Sequence, residues 1–370
     1  MSSGKKVRVL IVDDSALVRK ILSDALSQDD QIEIVGTAPD PIVAQEKIAL
    51  LKPDVLTLDI EMPRMDGLTF LRQLMSTNPL PVVVISSLVK ASQENAIEAL
   101  RWGAVEVLAK PNGPYSVGDL ANHLCFKIRA AAVARVARKP AAGASGANGA
   151  KPTARARRTM EPAIPGDDPA LRYPEHSLFA IGASTGGTEA ILNVLSRLPK
   201  NSPGIIITQH IPAGFSRTFS ERLNETCAME VKEAVDGDTV GPGRALVAPG
   251  GFHMLLRWAG TGYRVVVKDG PAVCYQRPSV DVMFQSVVAA ARGPVIASLL
   301  TGMGSDGAQG MVALRKAGAQ TIAQDEQSCV VFGMPKEAIR LGGAEQVLPL
   351  LKIPGAMLAA LKRAPAMARR

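Results

Sequence analysis

Short apolar runs alternate with longer stretches of helical spacing over the first third of the chain. Residues 6–12, 32–37, 54–59, 82–86 and 104–109 are rich in Val, Ile and Leu and read as buried strands. Between them, 15–26, 41–51, 67–77, 92–102 and 116–130 set apolar residues at helical intervals. This alternation predicts a parallel sheet with helices on both faces. From 131 to 175 the pattern lapses into Ala, Gly, Pro, Ser and Arg, a composition that cannot build a core and predicts a flexible basic linker. A second alternation follows over 176–355, with strands expected at 178–182, 204–209, 245–248, 264–267, 295–300 and 319–323. Residues 356–370 read as a basic tail. The expected class is α/β: two doubly wound parallel-sheet domains, 1–130 and 176–355, joined by the linker.

Composition narrows the function. Of 370 residues, 47% are hydrophobic, enough for two cores. The cysteines at 125, 227, 274 and 329 form no C-x-x-C pair, so neither a zinc site nor a disulfide framework is expected. No apolar run reaches membrane-spanning length, and the one before Asp13 is too short for a signal peptide. A cytoplasmic protein without membrane insertion is expected. The net charge of +8 invites a nucleic-acid reading. However, Arg129, Arg135, Arg138, Lys139, Lys151, Arg155, Arg157 and Arg158 all lie in 129–160, which contains no Asp or Glu. Setting those eight aside leaves 34 cations against 34 anions. The segment interleaves no aromatics for base stacking, and no nucleic-acid partner is expected.

Candidate chemistry gathers at strand ends. Asp13 and Asp14 end the first strand, Asp59 the third and Ser86 the fourth, and Lys110 follows the fifth. In an open parallel sheet these carboxyl ends converge near the point where strand order reverses. Clustered carboxylates repel unless a cation is present, and oxygen ligands suit Mg²⁺. Lys110 adds a mobile positive charge and Ser86 a hydroxyl, an arrangement that describes phosphoryl transfer onto Asp59. The bland alternative makes each acid a surface or capping residue. Asp14, for example, precedes a helix beginning near Ser15.

The run Leu58-Asp59-Ile60-Glu61-Met62-Pro63-Arg64-Met65-Asp66-Gly67 resembles the phosphoacceptor segment of two-component receiver domains, and the resemblance covers 6–128. It implies a flavodoxin-like fold, with Mg²⁺ bound by Asp14, Asp59 and the backbone carbonyl of Glu61 while Asp13 acts through water. It also implies a cis Lys110–Pro111 bond. Ser86 stands where the family more often has Thr, and Val107 where receivers commonly place an aromatic switch residue.

In the second domain, Gly182-Ala183-Ser184-Thr185-Gly186-Gly187 joins a strand run to a helical run. A glycine turn of this kind holds a serine hydroxyl out for attack, although it also suits a plain turn or a phosphate loop. His210 ends the strand 204–209 and projects from the same edge as a candidate base. The strand 295–300 runs into Thr301-Gly302-Met303-Gly304-Ser305-Asp306-Gly307, with Asp306 as candidate acid and loop amides such as that of Met303 as oxyanion donors. Asp281 is a rival acid that helix capping would explain. The order Ser, His, Asp differs from that of α/β-hydrolases, and no Lys follows the glycines as a Walker motif requires.

Together with Val247-Ala248-Pro249-Gly250-Gly251-Phe252-His253-Met254 and Arg277-Pro278-Ser279-Val280-Asp281, these motifs resemble the chemotaxis protein-glutamate methylesterases, the CheB family. The resemblance covers the chain apart from linker and tail. It implies a Rossmann-like catalytic domain that hydrolyses γ-glutamyl methyl esters on methyl-accepting chemoreceptors and deamidates receptor glutamines. Ser184, His210 and Asp306 are then catalytic, with Thr185 and Met303 near the oxyanion. Mg²⁺ serves the receiver only, and hydrolysis needs no cofactor. A chemotaxis histidine kinase donates phosphate to Asp59, and the unphosphorylated receiver covers the Ser184 cleft. A substrate carried on a large helical receptor calls for a shallow, open cleft, with His253 and Arg277 either in its walls or serving local turns. Two rival readings are distinguishable. A transcription factor needs a helix-turn-helix or folded basic patch, which is not evident, and a non-catalytic nucleotide module using the Ser184 and Gly302 loops would retain function in Ser184→Ala.

Overall fold

A computed structural model describes residues 5–110, 117–138 and 173–362. The Lys110–Pro111 bond lies outside the described residues. In the first domain β1 (Val7–Val12), β2 (Ile32–Ala38), β3 (Val55–Asp59), β4 (Val82–Ser86) and β5 (Glu106–Ala109) form a parallel sheet in the order β2-β1-β3-β4-β5. This is the flavodoxin-like order, and it reverses at β1. All five residues of β3 and of β4 are buried, so their sequences are largely apolar runs that end on Asp59 and Ser86, with buried Thr57 the one polar residue inside them. Helices α1 (Ala16–Leu26), α2 (Pro41–Leu51), α3 (Gly67–Thr77), α4 (Lys90–Trp102) and α5 (Val117–Ala132) complete the domain. Ser15, not Asp14, caps α1, accepting from Val18 N.

In the second domain β6 (Leu178–Ala183), β7 (Gly204–Gln209), β8 (Glu230–Glu233), β10 (Arg244–Val247), β13 (Val295–Leu299), β14 (Gln320–Gln324) and β15 (Gln346–Leu348) form a parallel sheet in the order β15-β14-β13-β6-β7-β10-β8. Here the order reverses at β6, which pairs with both β7 and β13. A separate antiparallel sheet holds β9 (Thr239–Val240), β11 (His253–Trp258) and β12 (Tyr263–Lys268). The strand expected at 264–267 therefore belongs to this small sheet. β12 buries Tyr263 and Val265 in alternation, as a strand with one covered face does. Strand β8 carries the polar sequence EVKE and lies at a sheet edge, which is why no apolar run announced it.

Helices α6 (Gly187–Leu195), α7 (Phe215–Thr226), α8 (Val280–Ala290), α9 (Ala308–Lys316), α10 (Met334–Arg340) and α11 (Ile353–Leu361) cover this unit. Two expected boundaries move. In α11, Ile353, Met357 and Leu361 recur every fourth residue and are buried, so the folded unit passes 355 and the expected tail begins inside a packed helix. Helix α5 passes 130, and the next residues are tethered rather than free. Arg135 N donates to Val330 O at 2.9 Å, its guanidinium pairs with Glu326 at 3.0 Å, and Arg138 donates to Ser76 O at 2.6 Å. Residues 139–172 and 363–370 lie outside the described residues.

Candidate active site and phosphoacceptor site

The receiver pocket assembles where β1 meets β3. Asp13 and Asp59 are buried, Asp14 is exposed, and their carboxylate oxygens lie within 4.8 Å of one another. Lys110 reaches in from the end of β5, 2.7 Å from Asp59 and 3.4 Å from Asp13. Burial pushes the Asp13 and Asp59 carboxyls above their ordinary range, and Lys110 only partly offsets this. Burial by itself would lower the Lys110 pKa, but its hydrogen bond to Asp59 and the charges of Asp59 and Asp13 raise it. Glu61 N donates to Asp59 Oδ1 at 3.1 Å, placing the β3–α3 loop at the pocket. The Glu61 side chain instead accepts from Ser87 and Ser92, and Ser86 Oγ donates to Ser92 O at 3.2 Å. All five strand-end residues singled out from the sequence thus share one edge, with the Ser86 hydroxyl turned toward α4.

The second pocket lies at the matching edge of the other sheet. Ser184 follows β6, His210 follows β7, and Asp306 lies in the loop after β13, so the three come from adjacent strands. Ser184 is held by Ser184 N→Thr301 O at 3.0 Å and by the start of α6, where Gly187 N donates to Ser184 O at 2.7 Å. Gly302 packs against it so closely that an added Cβ would sit 2.6 Å from Ser184 Cβ. His210 Nε2 is 2.7 Å from Asp306 Oδ2. A carboxylate can only accept, so the ring proton resides on Nε2 and Nδ1 carries the basic lone pair.

Asp306 also accepts from Ser279 Oγ at 2.8 Å and from the amides of Val280 and Asp281 at 2.7 and 3.0 Å, at the N-terminus of α8. Burial alone would raise its pKa. The hydrogen bond and charge of His210 and those amides outweigh burial and hold it below the usual carboxylate range. Ser184 Oγ and His210 Nδ1 are the atoms left over: both are buried, and neither has a hydrogen-bond partner. Buried polar groups are normally satisfied, and two unpaired atoms of complementary type mark where chemistry happens.

Asp281 is no triad member. Ser279 is the cap of α8, while Asp281 sits inside its first turn and accepts from Gly310 N at 2.6 Å. His253 is used locally, with Nδ1 accepting from Ser279 N at 3.2 Å and Nε2 donating to Pro271 O at 3.0 Å. Arg277 pairs with Asp269 at 2.5 Å. Thr185 is fully buried beside Ser184, and Met303 is half-buried in the Asp306 loop.

The cleft is closed rather than open. Ser184, His210 and Asp306 are 1%, 3% and 2% exposed, and α4, β5 and α5 of the receiver contact residues close to them in the chain. Glu106 of β5 accepts from Thr185 Oγ1 at 3.0 Å and pairs with buried Lys127 at 2.7 Å. Phe126 packs against Gly304, and Gln93 meets Thr218 at 3.3 Å. Sequence reasoning missed Glu106, Lys127, Ser279 and Gln209. A readable signal existed for two of them, since Glu106 is a lone charge in an apolar strand and Gln209 a polar residue directly before His210.

Fold and sites together define a receiver joined to a hydrolase with a Ser-His-Asp site on a parallel α/β sheet. Family models agree: the response regulator receiver domain matches residues 9–120 and the CheB methylesterase matches 179–357. The chain is 51% identical over 348 residues to protein-glutamate methylesterase/protein-glutamine glutaminase 2 of Syntrophus aciditrophicus (strain SB), covering 93% of this chain and 96% of that protein. It is 48% identical over 364 residues to the protein-glutamate methylesterase/protein-glutamine glutaminase of Salmonella choleraesuis (strain SC-B67), covering 98% and 99%. Among solved structures, the Thermotoga maritima CheB methylesterase catalytic domain aligns at 38% identity and a TM-score of 0.48, covering 50% of this chain and 97% of that one. The chain belongs to the CheB methylesterase family. No helix among the described residues is long and apolar enough to cross a membrane.

Proposed function

We propose that this chain is a phosphorylation-activated serine hydrolase that demethylates glutamyl methyl esters on chemoreceptors and deamidates glutamines at the same site. The observation that carries the reading is the convergence of Ser184, His210 and Asp306 on three adjacent strand ends, with Ser184 Oγ and His210 Nδ1 buried and unpaired. His210 Nδ1 takes the Ser184 proton as Oγ attacks the ester carbonyl. The amides of Thr185 and Met303 receive the oxyanion. The tetrahedral adduct expels methoxide, which takes the proton from His210 and leaves as methanol. Water, deprotonated by the same nitrogen, then hydrolyses the acyl-enzyme to the glutamate carboxylate and regenerates Ser184. Asp306 holds the tautomer and stabilises the imidazolium. A glutamine follows the same course with ammonia as leaving group, and more slowly, because an amine departs less readily than an alkoxide.

At the receiver, three carboxylates lie close together, and buried Asp13 Oδ2 has only the Lys110 ammonium at 3.4 Å to offset it, a set that fits a hard divalent cation such as Mg²⁺. Asp14, Asp59 and the backbone carbonyl of Glu61 would hold it, with Asp13 acting through water. Bound there, Mg²⁺ neutralises charge on the incoming phosphoryl oxygens. Asp59 takes the phosphoryl group from a chemotaxis histidine kinase, Lys110 offers it a positive charge, and Ser86 turns toward it from Ser92. Phosphorylation favours a conformation in which the receiver leaves Thr185 and Gly304 and opens the site.

The test is methanol release from methylated receptor membranes, with and without a small-molecule phosphodonor. The wild type releases methanol faster with the donor, and Ser184→Ala releases almost none in either condition. Undiminished release by Ser184→Ala overturns the hydrolase reading.

A further inference from the structure

One fully buried polar side chain at the catalytic edge lies outside the triad. Gln209, the last residue of β7, is 1% exposed. Its Nε2 donates to the carbonyls of Ser184 at 2.8 Å and His210 at 3.2 Å. A single amide thus bridges the backbones of nucleophile and base, which belong to different strand ends. Chemistry settles its orientation, because a flipped amide would set its oxygen against two carbonyl oxygens. The remaining Oε1 is buried without a partner and lies where a Cβ on residue 187 would fall, 2.1 Å away, so Gly187 makes its room. A side chain kept in the core with one polar atom unsatisfied is poorly explained by stability alone, since an apolar group of the same shape avoids that penalty.

Peptide planarity shows what the bond controls. The Ser184 carbonyl accepts from Gly187 N at 2.7 Å as well as from Gln209, so two donors pin it. In a trans peptide the next N–H points opposite to the carbonyl. Pinning Ser184 O therefore aims the N–H of Thr185. In hydrolases built on a strand–turn–helix corner, the residue after the nucleophile supplies an oxyanion donor. We propose that Gln209 is a positioning residue for ester hydrolysis: its amide locks the Ser184–Thr185 peptide so that the Thr185 N–H is preset for the oxyanion.

This inference rests on the serine-hydrolase reading, and its test separates the two. Gln209→Met and Gln209→Leu in the full-length chain approximate the side chain's size and remove both donors. Each is assayed with phosphodonor for methanol release and for inhibition by phenylboronic acid, whose tetrahedral serine adduct carries charge on the oxyanion side. The expected result is a kcat about 10–100-fold lower with KM unchanged, since an oxyanion donor is misaimed but not removed. Boronate affinity falls by the same factor, and the thermal midpoint holds, which a purely structural role does not predict. The proposal is overturned if a folded variant keeps kcat within threefold of wild type, if the loss lies in KM, or if boronate affinity is unchanged. Ser184→Ala runs in parallel. Activity in that variant defeats the hydrolase reading itself, whereas an inactive Ser184→Ala beside normal Gln209 variants removes only this inference.

Discussion

The receiver pocket and the hydrolytic pocket occupy the same place in two versions of one architecture, and they are built on opposite electrostatic plans. Both lie at the carboxyl edge of a parallel sheet where strand order reverses, at β1 in one and β6 in the other. The receiver gathers three carboxylates around one lysine, and burial drives Asp13 and Asp59 above their ordinary pKa range because their charge is only partly offset. The hydrolase gathers one carboxylate, and four donors satisfy it so fully that its pKa falls despite burial. A pocket that must respond to a ligand is left with unrelieved charge. The hydrolase pocket has its charge settled in advance, leaving Ser184 Oγ and His210 Nδ1 unpaired.

The largest expected effect breaks this comparison on the hydrolase side. Asp306→Asn should lower methanol release by about 10⁴-fold, because the asparagine no longer enforces the Nε2–H tautomer. Phosphorylation of Asp59 by a small phosphodonor, followed by label incorporation, should be unchanged. The matching receiver substitution acts differently. Asp59→Asn should abolish phosphate stimulation in the full chain, while the isolated 177–370 fragment keeps its rate. A full-length Asp59→Asn protein that still responds to phosphodonor defeats the regulatory model.

A smaller effect is expected where the two domains touch. Glu106 and Lys127 form a buried ion pair that also holds Thr185, and burying such a pair contributes little net stability. Glu106→Gln leaves Lys127 without its counter-charge and weakens the closed form. Basal methanol release without phosphodonor should rise about tenfold, equivalent to ~1.4 kcal/mol of closure. An unchanged basal rate would mean that other contacts hold the domains shut.

The smallest effect concerns Asp281. Burial raises its carboxyl to about 6, opposed by the Gly310 amide and reinforced by Asp306. The folded protein therefore keeps this proton at pH values where the unfolded chain, near 3.8, has lost it. The stabilising contribution is full below that value and disappears as pH rises through about 6. Asp281→Asn, which can still accept from Gly310, should raise the melting midpoint by about 2–4 °C at pH 7 and hardly at all near pH 4. Equal shifts at both values would show that Asp281 carries no raised pKa.

Most of the parallel strands were legible because their signal is local. Fully buried runs such as Val82–Ser86 and Gly204–Gln209 begin apolar and turn polar only at their carboxyl ends. The strands that escaped notice, Glu230–Glu233 and Gln346–Leu348 in the large sheet and Thr239–Val240 and His253–Trp258 in the small one, all lie at sheet edges, where polar residues are tolerated. The strand near 264 was legible as a strand but not as a member of an antiparallel sheet, because pairing partners leave no mark within a single run.

By itself the sequence determined the two α/β units, the acidic strand ends of the receiver and the three candidate residues Ser184, His210 and Asp306. Strand runs, glycine turns and helix starts are set by neighbours in the chain. Only the tertiary structure decided that β13, β6 and β7 lie side by side, which makes Asp306 rather than Asp281 the acid bonded to His210. It also decided that Gln209 ties Ser184 to His210 and that Glu106 reaches Thr185 from the other domain. The bonds from Gln209 to Ser184 and from Thr185 to Glu106 join residues distant in the chain, and they depend on strand order and domain docking, which no local pattern encodes.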